Sequence, residues 1–203
     1  MYSQGNEEKI ITEFFGEFTG TLLDVGANDG KTFSNSLRLI EMGWSAVLIE
    51  PSPKAFAKLR ELHKHHTHVH CVNIAIGDMN GNTVLHESGA HVPNGTDVAL
   101  VSTVHVAEKE RWKRVQFEEC EVDVLKMSTF QKIVQVQKYD FITIDCEGND
   151  LIVLQQLDLT FTKMLCIEWN GIEKSKVEIL QYCDRFGMSN VVYQSGENLI
   201  LTK

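Results

Sequence analysis

Long apolar runs and proline are both scarce in this chain of 203 residues, which has only three prolines. A helix that spans a bilayer needs about 20 consecutive apolar residues, so the sequence predicts no membrane span. The first ten residues, MYSQGNEEKI, lack the positive charge and the apolar stretch of a secretory leader, and we expect a cytoplasmic protein. Apolar residues make up 43% of the chain, which excludes a mainly disordered state.

Paired cysteines and positive charge are also lacking, and each absence excludes a class of partner. The five cysteines include no C-x-x-C pair, the spacing typical of zinc and redox sites, so we expect free thiols. The 28 acidic residues outnumber the 19 basic ones, and the net charge of −9 makes long nucleic acids unexpected partners. The densest basic stretch, residues 109–114, alternates with glutamate, which is typical of a solvated helix face.

Strand-like and helix-like segments alternate along the chain. Short apolar runs predict buried strands at 21–26, 45–50, 69–78, 139–145 and 163–170. Helical spacing predicts helices between them, including one over 6–18 and one that starts at Phe33. Ser195-Gly196 separates two final apolar runs and indicates a hairpin. We therefore predict one α/β domain over 1–203, a doubly wound Rossmann-like sheet, mostly parallel with a C-terminal antiparallel hairpin and helices on both faces.

Ligands of such sheets bind at the carboxyl ends of the strands. The first of these turns reads DVGANDG (24–30), where Gly26 and Gly30 let the backbone turn tightly. Glu50 ends the next strand about 20 residues later, the spacing at which an acidic side chain holds ribose hydroxyls. NAD requires G-x-G-x-x-G, which is absent, and Asp29 would oppose its pyrophosphate. We therefore favour S-adenosylmethionine (SAM) over NAD.

Several further motifs follow in a fixed order, and together they resemble the FkbM-type methyltransferases. These motifs are DVGANDG, IEPSP, AIGD, Ser102-Thr103, a VDVL segment and IDCEGND. The opening SQGNEEKII is similar to the first segment of many members, so the resemblance covers most of residues 3–154. It implies a class I SAM-dependent methyltransferase and O-methylation of a small hydroxylated acceptor such as a sugar, a glycoconjugate or a natural product.

The resemblance also implies which residues contact the cofactor. They are Asp24, Gly26, Asn28, Glu50, Ser52, Ile76 and Asp78. The apolar residue and the Asp of AIGD would enclose adenine and accept a hydrogen bond from its amino group. Gln4, in an N-terminal helical segment over 1–20, would close over the cofactor. Residues 86–120 match no pattern, and we expect this insertion to wall the acceptor site.

Two carboxylates follow the fourth strand, at Asp145 and Glu147. Side chains two residues apart face the same side of an extended segment, so both are predicted to point into one site. Methyl transfer requires alignment of the acceptor, and a hydroxyl acceptor must also lose its proton to a base. Asp145 and Glu147 are therefore the predicted catalytic residues. The alternative is that they cap the helix that begins near Asn149.

Glu168 and Asn170 follow the fifth strand and complete the predicted reacting edge. With Asp145 they offer the oxygen ligands that suit Mg²⁺, much as catechol-type O-methyltransferases do. The alternative is that Glu168 and Asn170 only shape the acceptor pocket. The sequence therefore leaves a divalent cation such as Mg²⁺ open and assigns no metal ligands.

Histidine is concentrated in one run, because five of the eight histidines lie within residues 63–70. We expect the run at the sheet edge opposite the cofactor, where histidine complements a helix C-terminus, and we do not predict a metal site there. His86, His91 and His105 lie in the predicted acceptor insertion. His105 is the favoured base among them because it is close to Ser102-Thr103.

Two other functions compete with methyl transfer. An NAD-dependent oxidoreductase would use the same strand ends, but the third glycine of its motif is missing. A SAM-binding domain that has lost catalysis would keep the cofactor residues and act as a partner-binding module. The sequence does not name the acceptor or fix the oligomeric state.

Overall fold

The computed structural model describes residues 1–89 and 99–203 of the chain. The strands are β1 Thr21–Val25, β2 Ser45–Ile49, β3 Val69–Val72, β4 Ala75–Ile76, β5 Gly81–Ser88, β6 Phe117–Leu125, β7 Phe141–Ile144, β8 Met164–Glu168, β9 Asn190–Gln194 and β10 Asn198–Thr202. The α-helices are α1 Glu7–Phe15, α2 Leu37–Glu41, α3 Pro53–His63, α4 Met127–Val134, α5 Asp150–Leu154 and α6 Glu173–Asp184, and a 3₁₀-helix spans Val106–Glu110. None of these helices has the length and apolar character of a membrane span.

Seven strands form the main sheet in the order β3-β2-β1-β7-β8-β10-β9. The first five pair in parallel, and β10 pairs antiparallel with both β8 and β9. Every residue of β7 and β8 is buried, as a parallel strand covered on both faces requires. The predicted mostly parallel α/β sheet with a C-terminal antiparallel hairpin is confirmed.

Two apolar layers cover the two faces of this sheet. Neighbouring residues of a strand point to opposite faces, so Leu22 and Leu23 of β1 belong to different core clusters. One cluster contains residues of α4, α5 and α6, and the other contains residues of α1, α2 and α3. Both faces are therefore filled by helices, and the carboxyl ends of the strands form the edge at which a ligand can reach the sheet.

Two of the sequence predictions are corrected here. The strand predicted over 69–78 is interrupted, because the Asn73 amide donates to the backbone oxygens of Glu50 and Pro51, and β4 leaves the main sheet to pair with β6. The helix predicted from Phe33 begins only at Leu37, since Phe33 has a φ of 56° and forms a β-bridge with Ser3.

A second, three-stranded sheet has the order β4-β6-β5 and stands beside the carboxyl ends of the main strands. Its strands β5 and β6 pair antiparallel along their whole length, from Gly81 opposite Val124 to Ser88 opposite Phe117. The chain then returns to this sheet after residue 99, where His86 bridges Thr103. The described part of the predicted 86–120 insertion is therefore joined to the second sheet.

Candidate functional site

A large cavity opens where β1, β2, β7 and β8 end, and it spans about 1300 Å³ including its open mouth. We call its two ends the β2 side and the β8 side. The β2 side is lined by residues that include Asp24, Gly26, Asn28, Glu50 and Ile76. The β8 side is lined by residues that include Arg111, Trp112, Glu147, Glu168 and Glu197, and Asp145, which follows β7, lines the cavity where the two sides meet. The lining therefore changes along the cavity, from a β2 side with polar and apolar groups to a β8 side rich in carboxylates.

The glycine-rich turn after β1 is pressed against the backbone that follows β7. Gly26 has a φ of 91°, and a Cβ atom placed there would lie 1.7 Å from the backbone oxygen of Asp145. The N–H groups of Gly26 and Ala27 both donate to the carbonyl of Ile49, at 2.9 and 3.0 Å. Only glycine fits this position, and the turn is therefore held between two strands with its backbone open to the cavity.

Glu50 is the buried carboxylate of the β2 side, with 5% of its surface exposed. Its Oε2 accepts the N–H of Asn28 at 2.8 Å and its Oε1 accepts the N–H of Ser52 at 2.7 Å. Burial raises the pKa of Glu50 to about 8, and the two backbone donors partly oppose that rise. Each oxygen has a second lone pair, so this carboxylate is fixed in place and can still accept hydroxyl donors from the cavity.

Asp24 and Gln4, two of the residues predicted to contact the cofactor, also line the cavity. The Ser36 hydroxyl donates to Asp24 at 2.6 Å, and burial raises the pKa of Asp24 to about 6. The segment that carries Gln4 is anchored through Glu7, which is 1% exposed. Glu7 accepts the N–H of Gly5 at 2.7 Å and the side-chain amide of Asn198 at 3.2 Å. The N-terminal segment thus reaches the cavity and is tied to β10 there.

Three of the predicted site residues do not line the cavity. Ser52 is fully buried, where it caps α3 and donates to Glu87 at 2.6 Å. Asp78 is exposed to solvent away from the cavity lining. His105 lies behind Asn149, with its Nε2 3.0 Å from the Asn149 Oδ1. Of the other two histidines of the insertion, His86 is also buried outside the lining, and His91 falls outside the described residues.

The histidine run is likewise outside the cavity lining, although it lies closer to the glycine-rich turn than predicted. His63 is 4% exposed, and its Nδ1 lies 3.0 Å from the Nδ1 of His66. Burial, followed by the charges of His66 and His68, lowers the pKa of His63 to about 4. A Cβ atom at Gly30 would lie 3.2 Å from the His63 ring. The buried ring is thus a neutral packing element beneath the turn.

Asp145 lies at the bottom of the cavity, between its two sides. Its side chain is exposed to solvent within the open cavity, although protein atoms surround the carboxylate. This burial, followed by the negative charges of Asp150 and Asp24, raises the pKa of Asp145 to about 7. A carboxylate with this pKa can both accept and release a proton near neutral pH.

Glu147 lines the cavity beside Asp145. The prediction that the two side chains face the same side of an extended segment is, however, wrong. The chain is not extended here, because Glu147 and Gly148 have φ values of 46° and 99°. Thr103 holds the turn by donating its hydroxyl to the Glu147 carbonyl at 2.8 Å. Burial and the charge of Asp145 raise the pKa of Glu147 to about 9, while Arg111 opposes the rise.

Arg111 and Asn170 connect the carboxylates of the β8 side. Asn170 donates its amide to Glu168 at 2.8 Å and accepts from the Arg111 guanidinium at 2.5 Å. Burial raises the pKa of Glu168 well above its usual value, and the charge of Asp145 adds to that rise. Arg111 and Trp112 were interpreted from the sequence as part of a solvated helix face, and no motif in their segment points to a cavity. They are the functional candidates that sequence reasoning missed.

The sequence does not decide whether a cation binds at the carboxyl ends of the strands, and three carboxylates do lie close together there. One oxygen from each of Asp145, Asp150 and Glu168 lies within 4.8 Å of the others. Both oxygens of Asp150, however, accept backbone N–H groups, from Cys146 at 2.7 Å and from Gly148 at 3.1 Å. Asp150 is therefore the cap of this turn, which leaves Asp145 and Glu168 as the two carboxylates that a cation with several water ligands could use. We assign no cation to the cluster.

A family model described as the methyltransferase FkbM domain matches residues 24–189 of the sequence. No curated protein matches the chain. Among solved structures, the precorrin-6y C5,15-methyltransferase of Geobacter metallireducens GS-15 is 12% identical, with a TM-score of 0.50 over 99% of this chain and 89% of that one. The METTL16 methyltransferase domain is 14% identical, with a TM-score of 0.52 over 97% of this chain and 66% of that one. At these identities the likeness extends to the fold alone.

Proposed function

This chain belongs to the FkbM methyltransferase family and has the class I SAM-dependent methyltransferase fold. We propose that it methylates a hydroxyl group of a small acceptor, which is a sugar or a glycoconjugate. Two alternatives are an NAD-dependent oxidoreductase and a catalytically silent SAM-binding module. They predict different ligands and different turnover, so ligand binding and methyl transfer together distinguish the three functions.

The β2 side suits SAM because of how its residues are held. Glu50 is fixed by two backbone donors and would accept the ribose hydroxyls. Ile76 and Leu85 line the same side and would pack against adenine. Gly26 leaves the backbone open, so that the methionine part can approach the turn. Gln4, carried by the anchored N-terminal segment, would cover the bound cofactor.

The main support for transfer to a hydroxyl is the position of Asp145 together with its raised pKa. It lies between the two sides of the cavity, where the methyl group of a cofactor on the β2 side would face an acceptor on the β8 side. An acceptor hydroxyl attacks the methyl carbon, the carbon–sulfur bond breaks, and its electron pair stays on sulfur, giving S-adenosylhomocysteine. Asp145 would take the hydroxyl proton, which a pKa of about 7 allows near neutral pH.

Isotope transfer tests this function. The protein is incubated with SAM labelled in its methyl group and a panel of sugars and glycoconjugates, while calorimetry measures the binding of SAM and of NAD. We expect SAM binding, no NAD binding and label on a hydroxyl oxygen. Binding of NAD in place of SAM would favour the oxidoreductase. Tight SAM binding without transfer to any acceptor would favour the silent module.

A further inference from the structure

The β8 side of the cavity is strongly acidic. Glu147, Glu168 and Glu197 line it, Asp145 lies at its border with the β2 side, and Arg111 is the one basic side chain among the described lining residues. Like charges repel, so an anionic acceptor such as a sugar phosphate would be disfavoured. Charge alone, however, does not show what the carboxylates would contact.

Glu147 adds an independent observation that points to a ligand. Its side chain is only 8% exposed, and its Oε2 accepts no hydrogen bond from the described residues. A buried carboxylate oxygen without a donor is energetically costly, and the cost is larger when the group is charged. This oxygen belongs to a residue that lines the cavity, so a ligand bound there can supply the missing donor.

Arg111 does not meet this need. Its guanidinium donates to the Asn170 Oδ1 at 2.5 Å and lies 3.6 Å from a Glu108 oxygen. It comes no closer than 3.9 Å to the Glu147 Oε2, which is beyond hydrogen-bond distance. Glu168 is also incompletely engaged, because the Asn170 amide binds only its Oε2. The Trp112 side chain also hydrogen-bonds Glu147 and opposes the rise of its pKa, but the Arg111 guanidinium is the one positive charge that the described lining residues offer to the two buried glutamates.

We infer that the acceptor carries a protonated amine beside the hydroxyl that is methylated, as an amino sugar or an aminocyclitol does, and that Glu147 and Glu168 bind this ammonium group. Without a ligand, the raised pKa values of Glu147 and Glu168 favour their neutral forms. An ammonium group brings three donors and one positive charge, and this charge lowers both pKa values, so that the glutamates can ionise and accept its hydrogen bonds. Trp112 lines the same side, and the face of an indole ring attracts a nearby cation. The inference rests on the proposed function and names the substrate class of that site.

Matched acceptor pairs test it. D-glucosamine, D-galactosamine and 2-deoxystreptamine are each compared with their N-acetyl derivatives, which keep the ring and lose the charge. Calorimetry with protein saturated in S-adenosylhomocysteine measures binding without turnover. We expect at least one amine to bind about tenfold or more tightly than its N-acetyl partner, because its hydrogen bonds to the glutamates are charge-assisted. D-glucose 6-phosphate should not bind.

Three variants show whether the glutamates are responsible. Glu147→Gln and Glu168→Gln should each reduce the preference for the amine severalfold while SAM affinity persists. Glu121→Gln is the matched control, since Glu121 is exposed on β6 and outside the cavity lining. SAM affinity also reports whether each variant is folded.

The outcomes separate this inference from the proposed function. The inference is overturned if no amine binds more tightly than its N-acetyl derivative. It is also overturned if the preference for the amine is unchanged in both Glu147→Gln and Glu168→Gln. Methylation of neutral sugars without any preference for amines would overturn it and leave the proposed function standing. Methyl transfer to the amine nitrogen would overturn both proposals, because a protonated amine held by the two glutamates has no lone pair with which to attack the methyl carbon.

Discussion

Asn28 and Glu50 are joined by a hydrogen bond of 2.8 Å, in which the backbone N–H of Asn28 donates to Oε2 of Glu50. The bond links the glycine-rich turn after β1 to the end of β2, so the two segments that would hold the cofactor are positioned by each other. Asn28 adopts a φ of 48° to make it. The carboxylate is thus oriented before any ligand binds.

Removal of Glu50 should therefore weaken SAM binding. We expect Glu50→Ala to cost about 2 kcal/mol of binding free energy, because charge-assisted hydrogen bonds to the ribose are lost. Calorimetry measures the change, and Glu17→Ala, at an exposed residue outside the cavity lining, is the control. An unchanged dissociation constant in a folded Glu50→Ala protein would contradict the assignment of Glu50.

The free energy of unfolding of the ligand-free protein should fall as the pH rises. The pKa of Glu50 is raised by burial from 4.5 to about 8. Between these values the unfolded chain binds fewer protons than the folded one, so the stabilisation present at low pH is lost as the pH rises through 8. Denaturant unfolding at about pH 5 and about pH 8 measures the loss. Glu50→Gln should reduce the difference without abolishing it, because Asp24 also has a raised pKa.

Asp145→Asn should lower kcat by roughly 10²–10⁴, the usual contribution of a general base. SAM affinity should fall as well, because Asp145 lies beside the β2 side of the cavity. Glu147→Gln, in contrast, should lower kcat while SAM affinity survives. Near-parent turnover in both variants would show that another residue is the base, and Glu168 would be the next candidate. His105 lies behind Asn149 and could act only as a positioning residue.

Turnover should be insensitive to chelation. In the proposed function Asp145 accepts the hydroxyl proton as a free base, and Asp150 of the same cluster is engaged by two backbone N–H groups. Turnover with a chosen acceptor is measured with and without EDTA. If EDTA abolishes turnover and added Mg²⁺ restores it, a cation serves the acceptor in place of a free base.

Gly26→Ala should destabilise the fold as well as the cofactor site. A Cβ at this position would meet the backbone oxygen of Asp145, and a φ of 91° is strained for alanine. Strain of this kind costs roughly 1–3 kcal/mol before the collision is counted. Thermal unfolding measures the loss. Gly196→Ala is the control, because a Cβ at Gly196 has no neighbour within 4 Å.

Replacing His65, His66 and His68 together by glutamine should leave turnover and SAM affinity unchanged, since none of the three lines the cavity. Turnover is compared with that of the parent with and without added Zn²⁺ or Ni²⁺. A large loss of activity that either metal modulates in the parent would show that the run is a functional metal site.

The main sheet was predictable because its signals are local. A parallel strand that is buried on both faces is read from a short apolar run, and Glu50 is found by its distance along the chain from the glycine-rich turn. The break between β3 and β4 was not predictable in this way. It depends on the Asn73 side chain, which reaches the backbone of a different strand end.

The residues of the β8 side were only half predictable. Asp145, Glu147 and Glu168 follow strands and were found for that reason. Arg111 reaches the cavity only because its segment folds back over β7 and β8, where it meets Asn170. A contact between residues that are 59 positions apart leaves no periodic trace in the sequence. The same holds for His105, whose distance from the cavity is set by Asn149.

The bond between Glu7 and Asn198 has a consequence for the synthesis of this protein. The two residues are 191 positions apart, and both are buried where they meet. A ribosome adds about 5–20 residues per second, so Glu7 emerges roughly 10–40 s before its partner exists. Throughout that interval the segment that carries Gln4 has no anchor on β10. The nascent chain can pair its first strands early, but the cavity is enclosed only after the final strand has been translated.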